Sequence, residues 1–206
     1  MKFLVLLLGI FGATAASGEI PAETNPIDGR SSEWLRYDDG SAAWVAWQGQ
    51  FRGVWFNLED FVPGWSCGVD IERTEMWFYH ESTYGWDTAD FYCEIWNGES
   101  TGPSVRIDQV RLTAVHYAPV YAEYAIPLAV DNNFWAVVNT EFSSGGWPSS
   151  ISDGQNSSVA HSFHSDSFLS WEPWTTPDGL SNYFISVLPQ EWSLDAVTWG
   201  SLKAAF

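Results

Sequence analysis

Positive charge is the scarcest property of this chain: 8 Lys and Arg stand against 26 Asp and Glu, for a net charge of −18. Such a surface repels phosphate backbones and anionic lipid, so nucleic acid and membrane surfaces are poor partners. Cysteine is nearly absent. Cys67 and Cys93 are the only two, and neither has a second Cys or a His at the spacing of a zinc site. No apolar run reaches the roughly 20 residues that span a bilayer. Catalytic signatures are missing too, with no Gly-x-Ser-x-Gly, no His-Glu-x-x-His and no Gly-rich phosphate cradle. The nearest histidine pair, His161 and His164, points to opposite faces if it lies on a strand. No cofactor and no metal is assigned on this basis; calcium stays open because hard oxygen ligands are abundant.

The first sixteen residues carry the clearest signal that is present. Lys2 precedes an apolar run from Phe3 to Phe11, and Ala13-Thr14-Ala15 supplies the small residues a signal peptidase needs. Residues 1–16 are therefore expected to be a signal peptide, with the mature protein secreted, extracellular or at the cell surface, and not inserted in a membrane after cleavage. Residues 17–33 hold two Pro, two Gly and almost no apolar residue, and are expected to form an extended N-terminal arm. Residues 34–206 suffice for one domain with a real core.

From Trp34 onward the apolar period is two. Candidate strands are Trp34–Tyr37, Ala42–Gln48, Phe51–Leu58, Cys67–Ile71, Glu75–His80, Asp90–Trp96, Val105–Thr113, Tyr121–Val130, Asn133–Phe142, Val159–Phe163, Asn182–Leu188 and Ala196–Leu202. Turn residues separate them, and Asn97-Gly98 is the strongest turn signal. No segment sustains a helical stripe. The pattern predicts an all-β chain, an antiparallel β-sandwich. Alternation puts Cys67 and Cys93 on the apolar faces of their strands, and in an exported protein the two are expected to be joined as a disulfide.

Aromatics make up 17% of the chain, with 14 Trp, and their placement suggests a binding surface. In Glu75–His80 one face holds Trp77 and Tyr79; in Asp90–Trp96 one face holds Tyr92, Glu94 and Trp96. If these strands are neighbours, Trp77, Tyr79, Tyr92 and Trp96 form an outward ladder edged by Glu75 and Glu94. Flat rings with polar edges suit sugar rings and protein contacts alike. Glu75, Glu81, Asp90 and Glu94 could also bring two carboxylates across a cleft, as a glycosidase requires. Asp38-Asp39-Gly40 and Asp153-Gly154 read as Asx turns. The Ser-rich stretch from Ser149 to Ser170 reads as loop with one short strand, and Asn156-Ser157-Ser158 is its glycosylation sequon.

Four places carry a family resemblance. They are Tyr37-Asp38-Asp39-Gly40; Phe134-Trp135-Ala136-Val137-Val138 followed by Gly145-Gly146-Trp147-Pro148-Ser149; Ser162 to Trp171 before Asn182-Tyr183-Phe184-Ile185; and the close from Asp195 to Phe206. Through them the chain resembles the jelly-roll accessory modules of large secreted bacterial proteins, which sit beside peptidase or adhesin domains. The resemblance implies a jelly-roll topology and a non-catalytic role in contact, sugar binding or assembly. With no attached enzyme domain, the module is expected to act as a whole unit. The first expectation is a subunit of an extracellular or cell-surface assembly, a fibre or adhesive layer, self-associating or joined to other extracellular proteins. The alternatives are a carbohydrate-binding module that takes polysaccharide on the aromatic strip and, after it, a glycoside hydrolase.

Overall fold

Alternating β-branched and aromatic residues favour strands, which dominate the described residues. The computed structural model describes residues 17–19, 34–47, 49–80 and 85–190. Among the described residues fourteen strands run in order: β1 (Ser17–Glu19), β2 (Ala42–Ala46), β3 (Phe51–Asn57), β4 (Val69–Trp77), β5 (Asp90–Asn97), β6 (Val105–Thr113), β7 (Pro119–Val130), β8 (Asn133–Asn139), β9 (Ser150–Asp153), β10 (Ser162–Ser165), β11 (Glu172–Pro173), β12 (Thr175–Thr176), β13 (Gly179–Leu180) and β14 (Ile185–Pro189). Among the described residues the sole helical element is one 3₁₀ turn at Leu58–Asp60, capped by the Asn57 side chain. The predicted signal peptide, most of the predicted arm, Glu81 and the predicted Ala196–Leu202 strand lie outside the described residues. Of the arm, Ser17–Glu19 pairs with β2 as an edge strand.

The pairing is nested. β2 pairs with β9, β3 with β8, β4 with β7 and β5 with β6, all antiparallel. This is one long double-stranded ribbon closed by the Asn97-Gly98 turn region and wrapped so that successive pairs alternate between two layers, which is a jelly roll. One layer is a six-stranded sheet in the order β11-β10-β3-β8-β5-β6; the other centres on β14-β4-β7. The sheet β1-β2-β9 adjoins the second layer through bridges Phe78↔Ser150 and Ser152↔Tyr183.

Between the layers sits the apolar core. Val54, Phe56, Phe91, Ile95, Phe134, Ala136 and Val138 from one side meet Ile71, Met76, Phe78, Ala122, Ile185 and Val187 from the other, all 2% exposed or less. Each large side chain buried this way contributes about 1.5–3 kcal/mol. The rings of Phe78 and Phe91 touch across the layers at 4.7 Å between centroids, and Phe56 stacks on Phe134 at 5.0 Å.

Two sequence expectations fail here for one reason. The segments Cys67–Ile71 and Glu75–His80 are not two strands but one, β4, carried through a register shift between Ile71 and Arg73. Pairing therefore starts at Val69, and Cys67 lies exposed in the turn before it. Cys93 is buried on β5, its thiol 3.8 Å from the Tyr124 hydroxyl, and burial pushes it up to about 12. Both thiols are free, so the expected Cys67–Cys93 disulfide is not formed.

Among the described residues Arg52 is a buried cation with no carboxylate hydrogen-bonded to it. Arg52 is fully buried, donating to the Ser150 hydroxyl at 2.9 Å and to the carbonyls of Gly146 (2.9 Å), Gly49 (3.3 Å) and Pro148. Burial lowers the guanidinium to about 10. The planar fork matches four acceptors on two segments at once, which a lysine ammonium cannot do. Arg52→Lys should cost about 2–4 kcal/mol, since it strands buried acceptors; urea unfolding followed by tryptophan fluorescence measures it.

Two histidines, His161 buried and His164 partly buried, lie near the same sheet. His161 lies between the rings of Tyr37 (3.5 Å) and Trp55 (5.5 Å), with its Nε2 3.8 Å from Asp60. His164 lies on β10 with its Nε2 4.0 Å from Glu172. Burial outweighs these carboxylates and holds both imidazoles below the ordinary value of 6.5. A depressed folded value means stability complete above 6.5 and lost as pH falls through the folded values. The melting temperature of the wild type should therefore fall more steeply between pH 7 and pH 5 than that of the double variant His161→Gln, His164→Gln.

Candidate functional site

Sheet register places the outward side chains of the six-stranded sheet in three rows. Phe51, Asn139, Tyr92 and Arg111 form the first, across β3, β8, β5 and β6. Phe163, Gly53, Val137, Glu94 and Gln109 form the second, and Trp55, Trp135, Trp96 and Arg106 the third. An outer face so rich in aromatics cannot stay open throughout. Its β10–β3–β8 half is covered by residues 166–171, which fold back over the sheet. Phe168, held at φ 65°, sets its ring 4.9 Å from Phe51 and 4.6 Å from Trp96, and Trp171 lies 5.1 Å from Trp135. Gly53 makes room for this: a Cβ there would stand 3.2 Å from both Trp135 and Trp171. Trp135, Val137 and Phe163 are buried as a second apolar cluster.

The β5–β6 half stays partly open. Tyr92 and Trp96 are half-buried, and between them Glu94 is only 2% exposed. Its carboxylate accepts from Trp96 Nε1 (2.8 Å), Asn139 Nδ2 (2.9 Å) and Gln109 Nε2 (3.1 Å), with Arg106 at 3.6 Å. A buried carboxylate so surrounded acts as a hub that fixes the side chains around it. Arg106 lies over the Trp96 ring at 5.5 Å, and Arg111 over Phe142 at 4.5 Å, a ring that also packs 4.8 Å from Tyr92. The Arg111 guanidinium and the Thr113 hydroxyl hold the Asp90 carboxyl below its usual range.

The row that starts at Phe51 leads into a cleft of about 380 Å³ lined by Trp47, Gln50, Ser143, Ser144, Gly145, Gly146 and Asp166, among others. Gln50 Nε2 donates to Asn139 Oδ1 at 3.5 Å, so the cleft and the Glu94 network are joined by one side chain. Gly146 forms the floor at φ 78°, where a Cβ would lie 2.0 Å from the Trp47 carbonyl oxygen. Trp47 stacks on Trp147 at 5.6 Å beside it.

The expected four-ring ladder is not formed. β4 and β5 lie in different layers, so Trp77 and Tyr79 are on the outer side of the second layer and Tyr92 and Trp96 on the outer side of the first. Trp77 and Tyr79 are half-buried against Val45, Ile151, Phe184 and Tyr117. Glu75, at 5% exposed, and Glu94 are too buried to serve sugar hydroxyls as expected. Facing opposite ways, they cannot flank one glycosidic bond either. Asp90 and Glu94 share a face but lie four strand residues apart, about 13 Å along the backbone, beyond the spacing of paired carboxylates. Asn156 is exposed after β9, where a glycan could attach.

Gln109, Arg106, Arg111, Phe142 and Phe168 join the site without having been expected. The polar residues of β6 alternate with Val110 and Leu112, a signal that marks an outward face. Nothing local marks Phe168, which reaches the site only because its loop folds back. Comparison with protein-family models, with curated proteins and with solved structures finds no match to this chain.

Proposed function

We propose that this protein is a non-catalytic extracellular module that acts by surface contact, and that the contact is carbohydrate held on the open β5–β6 half of the outer sheet face. One observation carries the reading: half-buried rings, Tyr92 and Trp96, lie beside polar side chains fixed by the buried Glu94. A sugar ring has an apolar face of axial C–H groups and a rim of hydroxyls, and this surface meets both. Glu94 orients rather than binds; the hydroxyl partners are Gln109, Arg106 and Arg111 together with Gln50 and Asp166 of the adjoining cleft. The net charge of −18 favours neutral polysaccharide over acidic polymer. The leader-like residues 1–16 support export. A ring stack contributes about 0.5–1.5 kcal/mol, so affinity from two of them is weak, in the high micromolar to millimolar range.

Affinity electrophoresis through gels containing cellulose derivatives, xylan or mannan tests this. Retardation should appear with a neutral polysaccharide and weaken by up to about tenfold in Trp96→Ala and in Tyr92→Ala, matching one lost stack. Ile126→Ser, on the exposed part of β7, should bind as the wild type does. Equal retention of the ring variants and the wild type, with folding checked by circular dichroism, would reject the site.

Assembly is the second reading, favoured by β1. Three residues of the N-terminal segment add an antiparallel strand to the edge of β2, and the same addition to a neighbouring copy would link chains. Light scattering on protein lacking residues 17–33 should then report a smaller particle than the wild type; an unchanged particle removes this segment from assembly.

A further inference from the structure

Away from the aromatic face, two buried side-chain oxygen atoms, one at the end of β9 and one on the segment before β14, have no hydrogen-bond donor. Asp153 ends β9 and is 0% exposed. Its Oδ1 accepts from the backbone N–H of Asn182 at 2.8 Å and from the Ser181 hydroxyl at 3.0 Å, while its Oδ2 is buried with no donor. Asn182 is 2% exposed; its Nδ2 donates to the Tyr37 carbonyl at 3.3 Å, and its Oδ1 is likewise buried with no donor. The Nδ2 bond also fixes which end of the amide is oxygen, since the opposite assignment would set two acceptors together. Asp38 follows Tyr37 directly and is 6% exposed. The charges of both Asp38 and Asp39 act on Asp153.

Turn chemistry accounts for only part of this. Asp38 Oδ1 accepts from Gly40 N–H and Asp39 Oδ1 from Ser41 N–H, as Asx turns require. The unsatisfied atoms belong to β9 and to the segment before β14, and one of them is an amide rather than an acid. Buried acceptors without donors are rare in folded proteins, and an ion is one of the few things that explains them.

We infer that Asp153 Oδ2 and Asn182 Oδ1, together with the Asp38 carboxylate, bind a calcium ion. The donor set is all oxygen, mixing carboxylate with amide, which is the preference of a hard cation. Donors drawn from three separate segments suit the flexible coordination of calcium better than the strict octahedron of magnesium. The ion would tie the segment before β2, the end of β9 and the segment leading into β14, all in the second layer. Its affinity is expected to match that of extracellular modules, on the order of 10⁻⁴ to 10⁻³ M. This site is independent of the carbohydrate reading.

The test uses the full mature chain, stripped with chelator and followed by thermal melting and by equilibrium dialysis with radioactive calcium. Millimolar calcium should raise the melting temperature by several degrees, magnesium should raise it less, and dialysis should show one calcium per chain. Asp153→Asn should abolish both responses; Asn182→Ser provides the same test should Asp153→Asn not fold. Dialysis that shows no bound calcium at millimolar concentration would overturn the assignment, as would one calcium per chain retained undiminished in either folded variant.

Discussion

Strand β8 is buried on both faces, and its register against β3 sets where every other group lies. Phe134, Ala136 and Val138 enter the central core while Trp135, Val137 and Asn139 take the outer face. Because side chains alternate with a period of two, a slip by one residue would exchange these sets. It would drive Trp135 into space shaped for Ala136 and leave Phe134 outside. Gly53 is the complement of this register, since it faces Val137 and leaves room for Trp171 above. Arg52 adds a lock from the inner side, because its guanidinium binds the 146–150 segment that follows β8.

That arrangement explains how so acidic a chain can bury charge. Arg52 is satisfied by carbonyls and a hydroxyl rather than by a carboxylate, and Glu94 by amide and indole donors with Arg106 at the margin. In both cases desolvation is offset by several fixed donors or acceptors, which a single ion pair does not supply. Each group then fixes the groups bonded to it. Arg52 orders the Gly146–Pro148 loop that floors the cleft, and Glu94 orders the side chains between Tyr92 and Trp96. The candidate surface thus rests on two buried charges, one on each side of the same sheet.

Strand content was legible because burial on a pleated surface imposes a period of two that survives in the residue order, and most long strands lie where alternation places them. Short strands were not. Ser150–Asp153 is read as a Ser-rich loop, yet it is buried throughout as β9, because hydroxyls there are satisfied by neighbours such as Trp174 Nε1 and Arg52 rather than by solvent. The register shift in β4 misled in the opposite way, splitting one strand into two and placing Cys67 on a face it does not occupy.

By itself the sequence determined the all-β class, the inward residues of the long strands and the acidity of the surface, since each depends on local alternation or on composition. Only the tertiary structure decided which strands are neighbours. β4 and β5 follow each other in the chain but enter different layers, so Trp77 and Tyr79 part from Tyr92 and Trp96. Glu94, chosen for the outer face of a strand, is there but buried, because Asn139 and Gln109 from the two flanking strands close around it. Pairing between strands far apart in sequence is set by the packing of the whole ribbon, and no window of residues along the chain contains it.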